Sequence, residues 1–100
     1  MGKKLTEEMI RDKSSVEDIS SIVDLNFWAS DLEDVSIINE MPNVETVSLS
    51  LNKIVSLSFF RNCSNLKELF LRKNGIESLR EINYLKNLPS LKVLWLWDNP

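Results

Sequence analysis

The sequence predicts an α/β solenoid, in which short parallel strands stack side by side and each is followed by a turn and a short helical segment. Three observations predict this fold. Residues 66–76 carry apolar side chains at their first, fourth, sixth and eleventh positions and an asparagine at the ninth. The same pattern begins 22 residues earlier at Val44, and 22 residues before that at Ile22. It begins once more at Leu91, 25 residues after Leu66.

This pattern is that of the leucine-rich repeat, a unit that stacks because it cannot bury its apolar face alone. In the third copy, Leu69 and Leu71 alternate with outward positions and define a strand with one buried face. Asn74 follows where the chain turns, and Ile76 and Leu79 are expected to return to the core. We therefore predict repeats at residues 22–43, 44–65 and 66–90, with an incomplete repeat at residues 91–100.

Residues 1–21 lie outside the repeat register and are expected to form a helical cap over the open end of the first repeat. Thr6 is suited to begin a helix. Glu7 and Glu8 would then lie in its first turn, where the helix dipole favours acidic side chains. Ser15 is expected to begin a second short helix.

After each strand and turn, apolar residues recur at spacings of three and four, which predicts 3₁₀ turns or short helices on the convex side. The third repeat is longer, so residues 81–88 are expected to form a short α-helix. Cys63 occupies the position that Met41 and Leu85 hold in their repeats. We therefore expect Cys63 to be a core residue rather than a reactive thiol.

Asn52, Asn74 and Asn99 share one position in successive repeats. A carboxamide both donates and accepts hydrogen bonds, so these side chains are expected to form a ladder with the backbone of neighbouring turns. Ser30 occupies the same position in the first repeat. Because its side chain is shorter, we expect the first turn to be looser.

The outward-facing strand positions predict a binding site. If Leu94 and Leu96 point inward, strand alternation makes Trp95 and Trp97 point outward. Trp and Arg are the residues most enriched in binding hot spots, and an exposed aromatic patch often marks a partner site. We predict that the concave face binds a partner through six residues: Trp28, Glu68, Phe70, Arg72, Trp95 and Trp97.

The composition argues against catalysis. The 100 residues suit one domain and include no histidine, which excludes a Ser-His-Asp triad, a Cys-His pair and an imidazole metal site. No motif supplies a nucleophile with a base, so we expect neither an enzyme nor a cofactor. Cys63 has no partner for a disulfide within the chain, which suits a reducing compartment.

Charge is distributed unevenly along the chain. Residues 14–52 contain eight acidic and no basic side chains, whereas residues 53–100 contain eight basic and four acidic ones. Sequence order is spatial order in a solenoid, so this gradient favours oriented association with a protein. The pI of about 4.9 argues against nucleic acid. No apolar run is long enough to span a membrane. We expect a monomeric repeat domain.

Several stretches are more specific than the repeat pattern: Lys4-Leu5-Thr6, Leu25-Asn26-x-Trp28-x-Ser30-x-Leu32, Glu40-Met41-Pro42, Leu69-x-Leu71-Arg72-x-Asn74-x-Ile76, Tyr84-Leu85-Lys86-x-Leu88-Pro89 and Leu91-Lys92-Val93-Leu94-Trp95-Leu96-x-x-Asn99-Pro100. Together they resemble the N-terminal repeat domain of the cilia- and flagella-associated protein 410 family. The resemblance covers essentially the whole chain. Trp28 together with Ser30 is its most specific feature, since the repeat pattern alone would not predict it.

The resemblance implies a non-enzymatic scaffold of cilia and basal bodies. This agrees with the location in the cytoplasm or cytoskeleton that the single cysteine and the lack of a membrane-spanning run predict. It also implies association with a NIMA-related kinase complex, through a helical oligomerisation segment beyond residue 100. Because the fourth repeat is incomplete, we expect the chain to be a fragment. Two other functions stay open: a regulatory subunit of a phosphatase or kinase, and a leucine-rich subunit of a nuclear ribonucleoprotein.

Overall fold

The computed structural model describes residues 2–100. Its strands and α-helix follow one another in the order β1 (Lys3–Lys4), α1 (Glu7–Ser14), β2 (Asp24–Asn26), β3 (Leu32–Asp34), β4 (Thr46–Ser48), β5 (Glu68–Phe70) and β6 (Val93–Trp95). One sheet has four parallel strands in the order β2-β4-β5-β6, and a second sheet pairs β1 with β3. The predicted α/β leucine-rich-repeat solenoid is confirmed.

Strand register places equivalent residues of the repeats side by side. Leu25, Val47, Leu69 and Leu94 are neighbours across the four strands of the main sheet. The first three are at most 2% exposed, whereas Leu94 is partly buried. The core therefore lies directly behind the sheet, and it holds the outward-facing residues in fixed columns.

The asparagine ladder ties each turn to its neighbour. The Asn74 side-chain oxygen accepts from the Ile54 N–H at 3.0 Å. Its amide nitrogen donates to the Leu49 carbonyl at 3.0 Å and to the Leu71 carbonyl at 3.1 Å. One buried side chain thus satisfies backbone groups of the second and third repeats. An aliphatic side chain could not do this, because it has neither a hydrogen-bond donor nor an acceptor.

The turn of the first repeat is held by hydrogen bonds to Asn52 of the second repeat. The Ser30 hydroxyl makes only a local bond, donating to the Trp28 carbonyl at 3.1 Å. The Asn52 side-chain oxygen accepts from the N–H groups of Ser30 and Leu32 at 3.0 and 2.9 Å. Asn99 joins the third and fourth repeats, since its oxygen accepts from the Ile76 N–H at 3.0 Å.

The N-terminal segment closes one end of the solenoid. As predicted, Thr6 begins α1, and its hydroxyl accepts from the Met9 N–H at 3.2 Å. Ile10 on α1 and Leu5 before it are almost fully buried in the common core. The pairing of β1 with β3 was not predicted from the sequence. Met1, the first residue of the predicted cap, lies outside the described residues.

The prediction that Ser15 begins a second helix is wrong. Ser15 ends α1 with a left-handed φ of 58°, and its N–H donates to the Arg11 carbonyl. A residue in this conformation closes the last helical turn and redirects the chain. The next helical segment is the 3₁₀ helix Ile19–Ser21, and Asp18 is its N-cap.

The convex side consists of 3₁₀ helices, at Ser36–Glu40, Ser58–Phe60 and Leu79–Leu85. The predicted α-helix over residues 81–88 is therefore wrong. The N–H groups of Glu81 and Lys86 donate to carbonyls three residues earlier, which is the 3₁₀ pattern. Apolar spacings of three and four suit both helix types, so the sequence could not separate them.

Leu79 does not return to the core, contrary to the prediction, and is 83% exposed. Its counterpart Leu57 is fully buried, at the start of a convex segment that packs against Leu79–Leu85. Within residues 2–100, no further convex segment follows Leu79–Leu85 and could cover Leu79 in the same way. Cys63 is buried as predicted, and burial raises the pKa of its thiol to about 11.

Candidate functional site

The outward face of the main sheet consists of three columns of side chains. Strand register gives the first column, Asp24, Thr46, Glu68 and Val93, and the second column, Asn26, Ser48, Phe70 and Trp95. The third column lies just beyond the strands and consists of Trp28, Ser50, Arg72 and Trp97. Backbone hydrogen bonds continue the pairing there, because Ala29, Leu51 and Lys73 donate to the carbonyls of Ser50, Arg72 and Trp97.

The second and third columns line a groove of about 450 Å³, which we call the concave groove. Its floor is formed by Ser48 and Ser50, which carry the shortest side chains among the lining residues. Ser50 is only 9% exposed. Trp28 stands at one side of this floor, and larger side chains of the third and fourth repeats stand at the other. The groove exists because two serines lie between bulky neighbours.

The far wall of the groove is an ordered aromatic cluster. The rings of Phe70 and Trp95 pack edge to face, with centroids 4.8 Å apart and an interplanar angle of 76°. The Arg72 guanidinium lies over the Trp97 ring, 4.8 Å from its centroid. These contacts restrain the four side chains before any partner arrives, which lowers the entropic cost of binding.

The tryptophans of the groove remain accessible. Trp28, Trp95 and Trp97 are 59%, 51% and 55% exposed, and they are the only tryptophans in the chain. A tryptophan side chain can bury a large apolar area while its indole N–H donates a hydrogen bond. The groove is therefore suited to a partner that covers apolar surface and accepts hydrogen bonds.

Five of the six predicted site residues line the groove, and the exception is Glu68. Glu68 lies in the first column, where its carboxylate accepts from the Thr46 hydroxyl at 2.9 Å. Three lining residues were left out of the predicted site: Asn26, Ser48 and Ser50. Strand alternation places them on this face, but small polar side chains carry no hot-spot signal in a sequence.

The described residues give no sign of a metal site. Among residues 2–100, no three His, Cys, Asp or Glu side chains are grouped so that they could hold a metal ion. The helices in this part of the chain are also too short or too polar for any of them to cross a bilayer. The concave groove, which gathers the exposed tryptophans, is the candidate functional site.

The repeats match a known family. The chain matches Leucine Rich repeats (2 copies) over residues 42–84 and over residues 64–100, which together span more than half of its length. The chain therefore belongs to the leucine-rich repeat family. Domains of this family are typically non-catalytic and bind proteins.

Two relatives bear out the resemblance found in the sequence. The chain is 45% identical over 97 residues to cilia- and flagella-associated protein 410 of Mus musculus, and 46% identical over 97 residues to the protein of that name in Homo sapiens. Each alignment covers 97% of this chain. The chain spans only 39% of the mouse protein and 38% of the human protein.

Solved structures share the fold. An internalin of Listeria monocytogenes superposes with a TM-score of 0.74 and 22% sequence identity, covering 80% of this chain and 23% of the internalin. At this level of identity the likeness concerns the solenoid alone.

Proposed function

We propose that this chain is the protein-binding repeat domain of a cilia-associated scaffold, and that its partner occupies the concave groove. The observation that carries this proposal is the gathering of every tryptophan of the chain on one accessible face, with Phe70 and Arg72 between them. Interface hot spots are enriched in Trp and Arg and cluster in pockets that lose their water on binding.

The exposure of the tryptophans supports a role in binding a partner rather than a structural role in the core. Three half-exposed tryptophans leave a large apolar area in contact with water, and exposed apolar patches on soluble proteins are often functional. The cluster is also held in place by its own packing. Such preorganised side chains lose little conformational freedom when a partner binds.

The ciliary part of the proposal rests on the names of the two mammalian relatives. These names fit a ciliary location, and within the proposal the chain is a non-catalytic, monomeric domain at the basal body of a cilium or flagellum, in the cytoplasm and cytoskeleton. They also favour this function over a subunit of a nuclear ribonucleoprotein or a regulatory subunit of a phosphatase or kinase. Association with a NIMA-related kinase complex, through a segment beyond residue 100, belongs to the proposal as well.

Truncation of the tryptophans at the two sides of the groove tests the binding surface. We expect Trp28→Ala and Trp95→Ala each to weaken capture of the partner from ciliated-cell extract by at least about 2 kcal/mol, because hot-spot truncation has effects of this size. Tyr84→Ala is the matched control, since Tyr84 is an exposed aromatic residue outside the groove. Thermal midpoints close to that of the parent would exclude loss of folding.

The proposal fails if both tryptophan variants retain every partner that the parent captures. A ciliary role fails separately if the tagged protein, expressed in ciliated cells, is diffuse or nuclear rather than basal-body associated. The two experiments therefore test the binding surface and the location independently.

A further inference from the structure

The concave groove is asymmetric in both shape and charge, and this asymmetry specifies a ligand chemistry. We propose that it binds an extended segment of a partner protein, which places a carboxylate on Arg72 and a proline or aliphatic side chain over Ser48 and Ser50. The inference rests on the proposed function and adds the chemistry of the bound segment to it.

Arg72 forms no ion pair within the described residues and is available to an acidic ligand. Among residues 2–100, the ion pairs are Glu7–Arg11, Asp31–Lys53 and Glu45–Lys67, and none of them involves Arg72. Its guanidinium lies over Trp97 instead. Stacking on an aromatic ring is compatible with hydrogen bonding by the guanidinium N–H groups, and a carboxylate can accept from two of those groups at once.

The width of the groove selects an extended chain. Ser48 ends β4 and Ser50 lies just beyond it, and β4 is the middle of the three adjacent strands β2, β4 and β5. The backbones that carry Trp28 and Phe70 are therefore about 10 Å apart. An α-helix with its side chains is roughly 10–12 Å across and does not fit between those two aromatic side chains. An extended or polyproline segment is thinner, and such segments dock into grooves lined by aromatic residues.

The apolar walls and short floor define the central position of this segment. Trp28 flanks one side of the floor, and Phe70 with Trp95 flanks the other. A proline or aliphatic side chain set over the serines would contact both walls. Proline suits the site in addition because its restricted backbone loses little entropy on binding.

The first column gives the segment a direction. Glu68 lies on β5 four residues before Arg72, which corresponds to about 13 Å along an extended strand. Asp24, also in the first column, is exposed to solvent. A bound segment with an acidic residue on Arg72 and a basic residue about four positions away, near Glu68, would therefore meet opposite charge at both of its ends. Complementary charges of this kind fix the orientation of the segment.

Selection of short random peptides displayed on phage tests the proposal, with the 100-residue chain and its Arg72→Glu variant as parallel targets. We expect the parent to select peptides in which Asp or Glu accompanies Pro or an aliphatic residue. We expect the Arg72→Glu variant to select Lys or Arg at the acidic position. The preference should reverse because one guanidinium determines it.

Measured affinities of synthetic peptides make the test quantitative. Arg72→Glu and Arg72→Gln should each weaken binding of a selected acidic peptide by about 10- to 100-fold, the range expected for hydrogen bonds to a charged group. Replacement of the acidic residue by lysine should restore binding to the Arg72→Glu variant alone. Arg61→Glu is the charge-matched control, because Arg61 is exposed and lies outside the groove, and it should leave binding unchanged.

The proposal is overturned if no peptide is selected, if the selected peptides lack an acidic preference, or if both targets select the same sequences. Any of these results leaves the proposed function intact as long as partner capture still depends on Trp28 and Trp95, because a folded partner surface would then occupy the groove. If capture is also insensitive to those tryptophans, the proposed function fails with it.

Discussion

At the scale of single residues, the ladder asparagines solve a problem of backbone satisfaction. The residue before each ladder position, Ala29, Leu51, Lys73 and Asp98, has a positive φ between 51° and 62°. This left-handed conformation is unfavourable for residues other than glycine. In three of these four turns the next residue is an asparagine, whose side-chain amide donates to the carbonyl three residues before it and stabilises the turn. These residues are Asn52, Asn74 and Asn99. Short strands can therefore end sharply without glycine.

We expect Asn74→Leu to lower the free energy of unfolding by about 1–3 kcal/mol, because it leaves buried backbone groups without partners. Asn99→Leu should have a smaller effect, since Asn99 is only partly buried and water can replace its bonds. Chemical denaturation measures both. Asn87→Leu serves as a control at an exposed position and should stay within about 0.5 kcal/mol of the parent. Equal stability of Asn74→Leu and the parent would contradict the structural role of the ladder.

At the scale of elements, the N-terminal strand shows where sequence reasoning stops. β1 has two residues and pairs with β3 nearly thirty positions later, and no local pattern indicates such a pairing. Leu5 follows β1 directly, and its N–H donates to the Asp34 carbonyl at 2.8 Å. This pairing draws the side chain of Leu5 fully into the core. The cap is thus held by a strand as well as by the predicted helix.

Two leucines test the contribution of the cap against that of the opposite end. Leu5→Ala should lower the free energy of unfolding by about 2–5 kcal/mol, as for other buried leucines. Leu79→Ala should change it by less than about 0.5 kcal/mol, because Leu79 is 83% exposed. Thermal or chemical unfolding of the two variants measures the difference. Similar losses for both would show that the ends of the solenoid are packed differently from this account.

At the scale of the molecule, the repeat period determines which residues form the concave groove. Because equivalent residues stack across four parallel strands, residues that are 22 or 25 positions apart in the sequence become neighbours on one face. Trp28 and Trp97 thereby line a single groove with the third-repeat residues between them. A concave surface built this way is wide and continuous, as binding by a solenoid requires.

The parts of the molecule that could be predicted are those the period controls. Strand alternation correctly predicted the buried faces of Leu25, Val47 and Leu69 and the outward direction of Trp95. The exposure of Leu79 could not be predicted, because burial at this position depends on a neighbouring segment rather than on the residue itself. The serine floor of the groove was also missed, since it matters only through the larger side chains beside it.

Photo-crosslinking in ciliated cells tests the central claim, that the concave groove is the binding surface. A photoreactive phenylalanine analogue at position 28 replaces the exposed Trp28 of the groove, and the same analogue at position 84 replaces the exposed Tyr84 on the convex side. We expect the first protein to crosslink a partner and the second to crosslink none. Crosslinking from position 84 with none from position 28 would contradict the claim and place the binding surface on the convex side.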